Sequence, residues 1–185
     1  MPRLTDARKE LRRAQITAAA VRCFSRKGLE RTSIAEITAE SGLSAGSIYT
    51  HYRNKAELIQ ASARAALAEH AEVLGDYTAS DVPPGPDDLL ARLTSGIDVA
   101  KARVAVQIWG EATTDPVIRG VLVDMIDRLR AMVLGCVAAW LVKAEHLEPD
   151  RALERAAPIA HRISALYLAE MLTTAMQTPI EESDS

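Results

Sequence analysis

Between Arg8 and Lys27 the apolar residues Leu11, Ile16, Ala19, Ala20, Cys23 and Phe24 recur at steps of three and four, which puts them on one face of a helix. Arg26 and Lys27 suit the negative end of that helix, and Gly28 can turn left-handed to end it. Ser33 and Glu36 have the spacing of a capping box, opening a short helix whose Ile34, Ile37 and Ala39 face inward and which Gly42 terminates. Ser44 stands where it caps a third helix, with Ile48, Tyr49 and Tyr52 at helical spacing. A long amphipathic helix is expected over about 56–74, stopped by Gly75. The segment "TASDVPPGPDD" (78–88) is the one break in composition and predicts a loop. Beyond it the pattern predicts helices over about 86–102, 103–113, 116–143 and 150–177. Asp115-Pro116 reads as an N-cap followed by a first-turn proline, whereas Pro158 is expected to kink or divide the last helix. No stretch alternates with period two, so the fold is expected to be all-α.

Composition refines this picture only a little. Aromatics make up 4% of the 185 residues and Phe24 is the single phenylalanine, so the core is expected to be aliphatic and alanine-rich. The longest apolar run, 131–142, lies between Arg130 and Lys143 and is too short to cross a bilayer. The charged N-terminus has no secretory pattern, so a cytoplasmic protein without a membrane partner is expected. Cys23, Cys136 and the four histidines share no ligand spacing, which argues against a disulfide framework, a metal site or a cofactor. The net charge of −3 hides an asymmetry: residues 1–55 carry +6 and residues 56–185 carry −9. The basic third therefore suits a polyanion.

Within that third, Gly42 to Gly46 spells G-x-S-x-G, the pattern of a hydrolase nucleophile elbow. An elbow serine needs a buried strand before it and a sheet around it. Here a capped helix precedes Gly42, and the chain offers no strands. Ser44 is read as a helix cap, no catalytic residue is assigned, and no enzyme is expected.

A helix, a three-residue turn and a second helix, standing on a supporting helix, is the unit that lays its second helix in a DNA major groove. The stretch Ile16-x2-Ala19-Ala20-x3-Phe24-x3-Gly28, followed by "TSIAEITAESGLSAGSIYTHYRNKAEL" (32–58), closely resembles the N-terminal domain of TetR-family transcriptional regulators. The resemblance covers about residues 10–60 and departs at Tyr52, where phenylalanine is commoner; the rest is similar only in length and helical plan. It implies a three-helix helix-turn-helix DNA-binding domain over 1–55 and a C-terminal helical domain over 56–185 for effector binding and dimerisation. The implied function is a ligand-responsive regulator, usually a repressor that binds operator DNA as a homodimer and is released by a small-molecule effector.

By matching position, Ser44 opens the recognition helix, Ala45, Gly46, Ser47 and Thr50 lie toward base edges, and Thr32, Ser33, Tyr49, His51, Tyr52 and Lys55 hold phosphates. No Arg, Asn or Gln stands at the base-facing positions, so bidentate contacts to guanine or adenine are missing there and DNA shape gains weight. Arg3, Arg8, Arg12 and Arg13 are expected to add phosphate or minor-groove contacts.

The 116–143 and 150–177 segments are apolar on more than one side, so each must bury a second face. A four-helix bundle with two helices from each of two copies would do so. A pocket for the effector is expected among the fifth to eighth helices, with Gln107, Trp109, Met125, Leu129, Met132, Tyr167 and Met171 as its candidate lining. The rival reading is a helical ligand-binding or protein-interaction module without specific DNA binding.

Overall fold

The computed structural model describes residues 4–79, 81 and 83–177, and these form eight helices and no strand. In chain order they are α1 (Leu4–Lys27), α2 (Ile34–Ser41), α3 (Ala45–His51), α4 (Lys55–Ala79), α5 (Pro86–Ser95), α6 (Val99–Glu111), α7 (Pro116–Lys143) and α8 (Pro149–Ala175). No described helix is long and apolar enough to cross a membrane.

Two apolar cores organise them. In the first, Ile16 and Phe24 of α1 pack with Ile37 of α2, Ile48 of α3 and Leu58 of α4. Val104 and Ile108 of α6 and Ile118 of α7 close that core from the other side. Phe24 is fully buried, and truncating such a ring to alanine costs about 3–5 kcal/mol, a large share of a domain's stability. In the second core, Leu74 of α4 and Leu89 and Leu93 of α5 meet Val133, Val137 and Leu141 of α7 and Ile163 and Tyr167 of α8. Ala152, Ala156 and Ala160 recur every four residues on the buried face of α8, so that helix lies close against its neighbours.

Several boundaries differ from the sequence pattern, each for a local reason. The first helix begins by Leu4, ahead of Arg8, because nothing in between opposes it and Asp6 favours the first turn. Helix α4 runs through Gly75 to Ala79. One helical glycine costs only about 1 kcal/mol, and the buried Leu74 beside it anchors the turn. The helix expected over 86–102 ends at Ser95, and α6 starts at Val99, ahead of 103. Gly96 breaks the run, and the Asp98 carboxylate caps the new helix by accepting from Lys101 N–H at 2.9 Å. Pro158 does not divide α8. Its neighbours Ala156 and Ala160 are both buried, and that packing holds the helix together across the missing hydrogen bond. Arg3 lies outside the described residues.

Polar contacts tie α2 to α1. Glu40 accepts from Arg22 Nε at 2.6 Å and from Arg26 Nη2 at 2.5 Å, Glu36 pairs with Lys27, and Gln15 Nε2 donates to the Ser41 carbonyl at 2.8 Å. The Lys27 ammonium, then the Ser33 amide and hydroxyl, hold the Glu36 carboxyl down at about 2, and the two arginines hold Glu40 below the ordinary carboxylate range. Both pKa values are lowered by folding, so this stabilisation is complete above the ordinary carboxylate range and is lost as pH falls through the lowered values. Glu40→Gln is therefore expected to lower Tm at neutral pH and to flatten the loss of Tm on acidification below about pH 4.5. Calorimetric scans of both proteins across that range check it; parallel curves would mean the ion pairs are idle.

Candidate nucleic-acid interface and ligand cavity

The α2–α3 unit is built from caps. Ser33 Oγ accepts from Glu36 N–H at 3.2 Å while the Glu36 carboxylate accepts from Ser33 N–H at 2.8 Å, so the capping box is complete. Gly42 ends α2 at φ 67°, a left-handed conformation in which a side chain would be strained. Ser44 Oγ then accepts from Ser47 N–H at 3.2 Å and caps α3. Ile48 is the one fully buried residue of α3, so the helix is pinned by one side chain and displays its other faces.

Ala45, Gly46, Tyr49 and Thr50 are exposed, as are Ser33 and Ser44; Ser47 and His51 are half-buried. Tyr49, at 56% exposure, is a surface ring and not a spacer between helices. Thr50 Oγ1 donates to the Gly46 carbonyl at 2.8 Å and keeps its lone pairs outward. Nothing lies within 4 Å of where a Cβ on Gly46 would stand. Arg8, Arg12 and Arg13 are exposed on α1.

Three expected phosphate contacts are placed differently. Thr32 is buried, and its hydroxyl donates to the carbonyls of Gly28 at 2.8 Å and Cys23 at 3.3 Å, so it braces the α1–α2 turn. Tyr52 is buried too, its hydroxyl 3.2 Å from Thr17 Oγ1 and its ring 6.0 Å beneath the Arg13 guanidinium. Here the hydroxyl that distinguishes tyrosine from phenylalanine ties α3 to α1. Lys55 is half-buried, and its ammonium donates to the carbonyls of Leu29 at 2.8 Å and Glu30 at 3.1 Å. Thr32 and Lys55 are turned inward by polar backbone that must be satisfied where α1 ends, and Tyr52 by the Thr17 hydroxyl.

A cavity of about 360 Å³ beside Cys23, among the α1–α2 ion pairs, is small and mostly charged. A far larger one, about 980 Å³, opens between α1 and α4 on one side and α5 to α8 on the other. Of the expected lining residues, Trp109, Met125, Leu129, Tyr167 and Met171 border it. Met132 does not; it packs against the second core. Gln107 does not either: Oε1 accepts from Leu29 N–H at 2.8 Å and Nε2 donates to the Phe24 carbonyl at 3.3 Å. Helical geometry turns this side chain away from its neighbours Ile108 and Trp109 and onto the end of α1. The sequence pattern missed the wall made by Thr17, Val21 and Tyr52, and the basic Arg64, Arg92 and Lys101 around the same space. Helix periodicity shows which face is apolar but not which distant helix lies across from it.

The described residues contain no group of three or more metal-ligating side chains. Burial pushes the Cys23 and Cys136 thiols up, so neither is poised as a nucleophile.

Residues 16–62 match the family model described as bacterial regulatory proteins, tetR family. The HTH-type transcriptional regulator TtgR of Pseudomonas putida is 46% identical over 61 residues, 33% of this chain and 29% of TtgR, so the match spans under a third of that relative. The HTH-type transcriptional regulator BetI of Burkholderia thailandensis is 28% identical over 175 residues, 91% of this chain and 85% of BetI. Among solved structures, the transcriptional regulator FadR of Bacillus subtilis, in complex with stearoyl-CoA, superposes with a TM-score of 0.59 at 15% identity, covering 88% of this chain and 97% of that one. The last of these speaks for the fold alone.

Gln107→Ala would leave the part-buried Leu29 amide without its acceptor, a loss of about 1–3 kcal/mol. Urea denaturation reads the loss, and hydrogen exchange at Leu29 locates it: the amide should exchange faster, with little change at amides in the middle of α8. Unchanged protection at Leu29 would show that the contact between α6 and the end of α1 holds nothing.

Proposed function

Since the chain belongs to the TetR family of bacterial regulatory proteins, we propose that it is a DNA-binding transcriptional repressor of the cytoplasm. In this reading it works as a homodimer and is released from its operator by a small molecule held in the large cavity. The observation that carries the reading is a short, capped, outward-facing α3 in the basic third of the chain, joined through α6 to a roomy cavity. Residues 1–55 serve as the reading head and 56–185 as the effector-binding and dimerisation part.

Ala45, Gly46, Ser47 and Thr50 face base edges in this proposal, with Ser33, Ser44, Tyr49 and His51 toward the phosphates. Gly46 supports it, because no internal packing requires a glycine there, whereas close approach of a duplex would. Thr32, Tyr52 and Lys55 contribute by holding α1, α3 and the intervening turn in register. Hydroxyls and methyl groups in place of bidentate side chains make recognition depend on thymine contacts and DNA shape.

The dimer is supported by α8 and its C-cap, where Ala165, Ala169, Leu172 and Met176 follow one another at helical spacing on an exposed face. An apolar face opposite the core calls for a partner. A second copy, related by a two-fold axis, would set two α3 helices about 34–36 Å apart, one turn of DNA. Effector action follows from α6, which borders the cavity with Val104, Ile108 and Trp109 and grips the end of α1 with Gln107. A ligand that moves α6 by displacing that grip needs about 1–3 kcal/mol of coupling, and DNA must weaken ligand binding by the same factor.

The decisive experiment is a fluorescence-anisotropy titration with the intergenic DNA beside the protein's own gene and with an unrelated duplex of equal length. A specific regulator prefers the first by at least about 10³-fold and loses affinity steeply with added salt. Thr50→Ala should reduce the preference, and Arg12→Ala should weaken both duplexes alike. Equal, salt-insensitive binding to both would favour a helical module without a DNA function. Independently, Ala169→Arg should shift sedimentation from dimer to monomer and weaken operator binding, with helix content unchanged by circular dichroism.

A further inference from the structure

The cavity's lining is apolar over most of its extent but uneven in charge. Seven ionisable side chains border it, and five of them are basic. Two of the five are already neutralised, Arg13 by Glu10 at 3.6 Å and Arg22 by Glu40 at 2.6 Å. Asp98, the other acid, is held as the cap of α6. Arg64 of α4 and Arg92 of α5 are different. Arg64 Nη2 donates to the Gln60 amide oxygen at 3.5 Å, and among the described residues neither Arg64 nor Arg92 has a carboxylate partner. Trp109, which also borders the cavity, adds an unmet need: its indole N–H is buried and has no acceptor among the described residues. A buried donor without a partner is costly, and an acceptor atom on a bound molecule would relieve that cost.

We infer that the molecule this cavity takes is an amphipathic organic anion: an apolar body against α6, α7 and α8, carrying a carboxylate or phosphate for Arg64 and Arg92. The inference rests on the reading of the cavity as the effector site. Guanidinium groups bind carboxylate and phosphate oxygens with paired hydrogen bonds, so the two arginines without a carboxylate partner select an acid over an alcohol of the same shape. They also repel a cation with the same tail, so they discriminate against it as well. Val104, Ile108, Met125 and Leu129 supply the apolar wall, and the thioethers of Met125 and Met171 adapt to tails of different shape. Because an apolar wall discriminates only weakly among tails of similar size, the head group is the stronger determinant of choice.

The test is isothermal titration calorimetry of the full chain with decanoate, decanol and decyltrimethylammonium, each below the concentration at which it aggregates. Decanoate should bind with saturation, at least about tenfold more tightly than either analogue. The doubly substituted Arg64→Gln, Arg92→Gln protein should lose that preference while binding decanol as before; both positions are exposed, and thermal unfolding confirms that it is folded. Binding of decanol or decyltrimethylammonium as tightly as decanoate would overturn the proposal and leave the cavity as an effector site for another class. Binding of none of the three by a folded protein that still prefers its operator would overturn both the proposal and the assignment of the cavity.

Discussion

Everything this chain can do depends on how the backbone is satisfied where α1 ends. A helix terminus leaves carbonyls and amides without partners, and the turn from Gly28 to Thr32 is too short to pair them internally. Two distant side chains and one from the turn do it instead. Gln107 of α6 takes the Phe24 carbonyl and the Leu29 amide, Lys55 of α4 takes the Leu29 and Glu30 carbonyls, and Thr32 takes those of Gly28 and Cys23. Leu29 is thus bound at its amide from α6 and at its carbonyl from α4. The turn is the joint of the molecule, and its rigidity is borrowed from helices on the far side of the first core.

That arrangement connects the cavity wall to the end of α1. Helix α6 has two faces with separate duties: Val104, Ile108 and Trp109 border the cavity, and Gln107 holds the joint. Helix α1 is divided likewise, with Thr17 and Val21 on the cavity and Arg22 and Arg26 bound to α2 through Glu40. The Thr17–Tyr52 hydrogen bond adds a direct path from the cavity wall to the end of α3. In the function proposed for it, no long chain of contacts is required, since two helices border the ligand space and touch the DNA-reading unit themselves.

The fold was legible wherever local rules were decisive. The capping box at Ser33, the left-handed Gly42, the cap at Ser44 and the Asp115-Pro116 start of α7 are all short-range chemistry, and all are present as the residue order implies. Gly75 does not stop α4 and Pro158 does not divide α8, because tertiary burial of Leu74, Ala156 and Ala160 outweighs a local penalty. Gly96 and Asp98 were an overlooked break-and-cap pair inside an amphipathic run. Side-chain destinations were harder. Thr32, Lys55 and Gln107 are polar residues whose partners lie on other elements, and no periodicity reports which backbone group will be left orphaned nearby. The cavity was half legible for the same reason: its α6–α8 wall follows from helix faces, whereas its α1 and α4 wall follows from packing.

The apparent surplus of polar residues on α1 and α2 now has a division of labour. Glu36 and Glu40 are acids in the basic third, and each would weaken a polyanion's attraction if it stood free. Both are instead spent on Lys27, Arg22 and Arg26, three of the eleven basic side chains of residues 1–55. In the function proposed, the charge available to a phosphate backbone is therefore carried by other positions, such as Arg8 and Arg12, which are exposed on α1. With Lys55 bound to backbone carbonyls and Arg22 and Arg26 paired with Glu40, long-range attraction in the function proposed falls to α1 and close fit falls to α3. In that reading, attraction along α1 would respond to salt, whereas the fit of hydroxyls and methyl groups on α3 would respond to sequence. Separating the two on different helices allows substitution in one to leave the other's energetics in place.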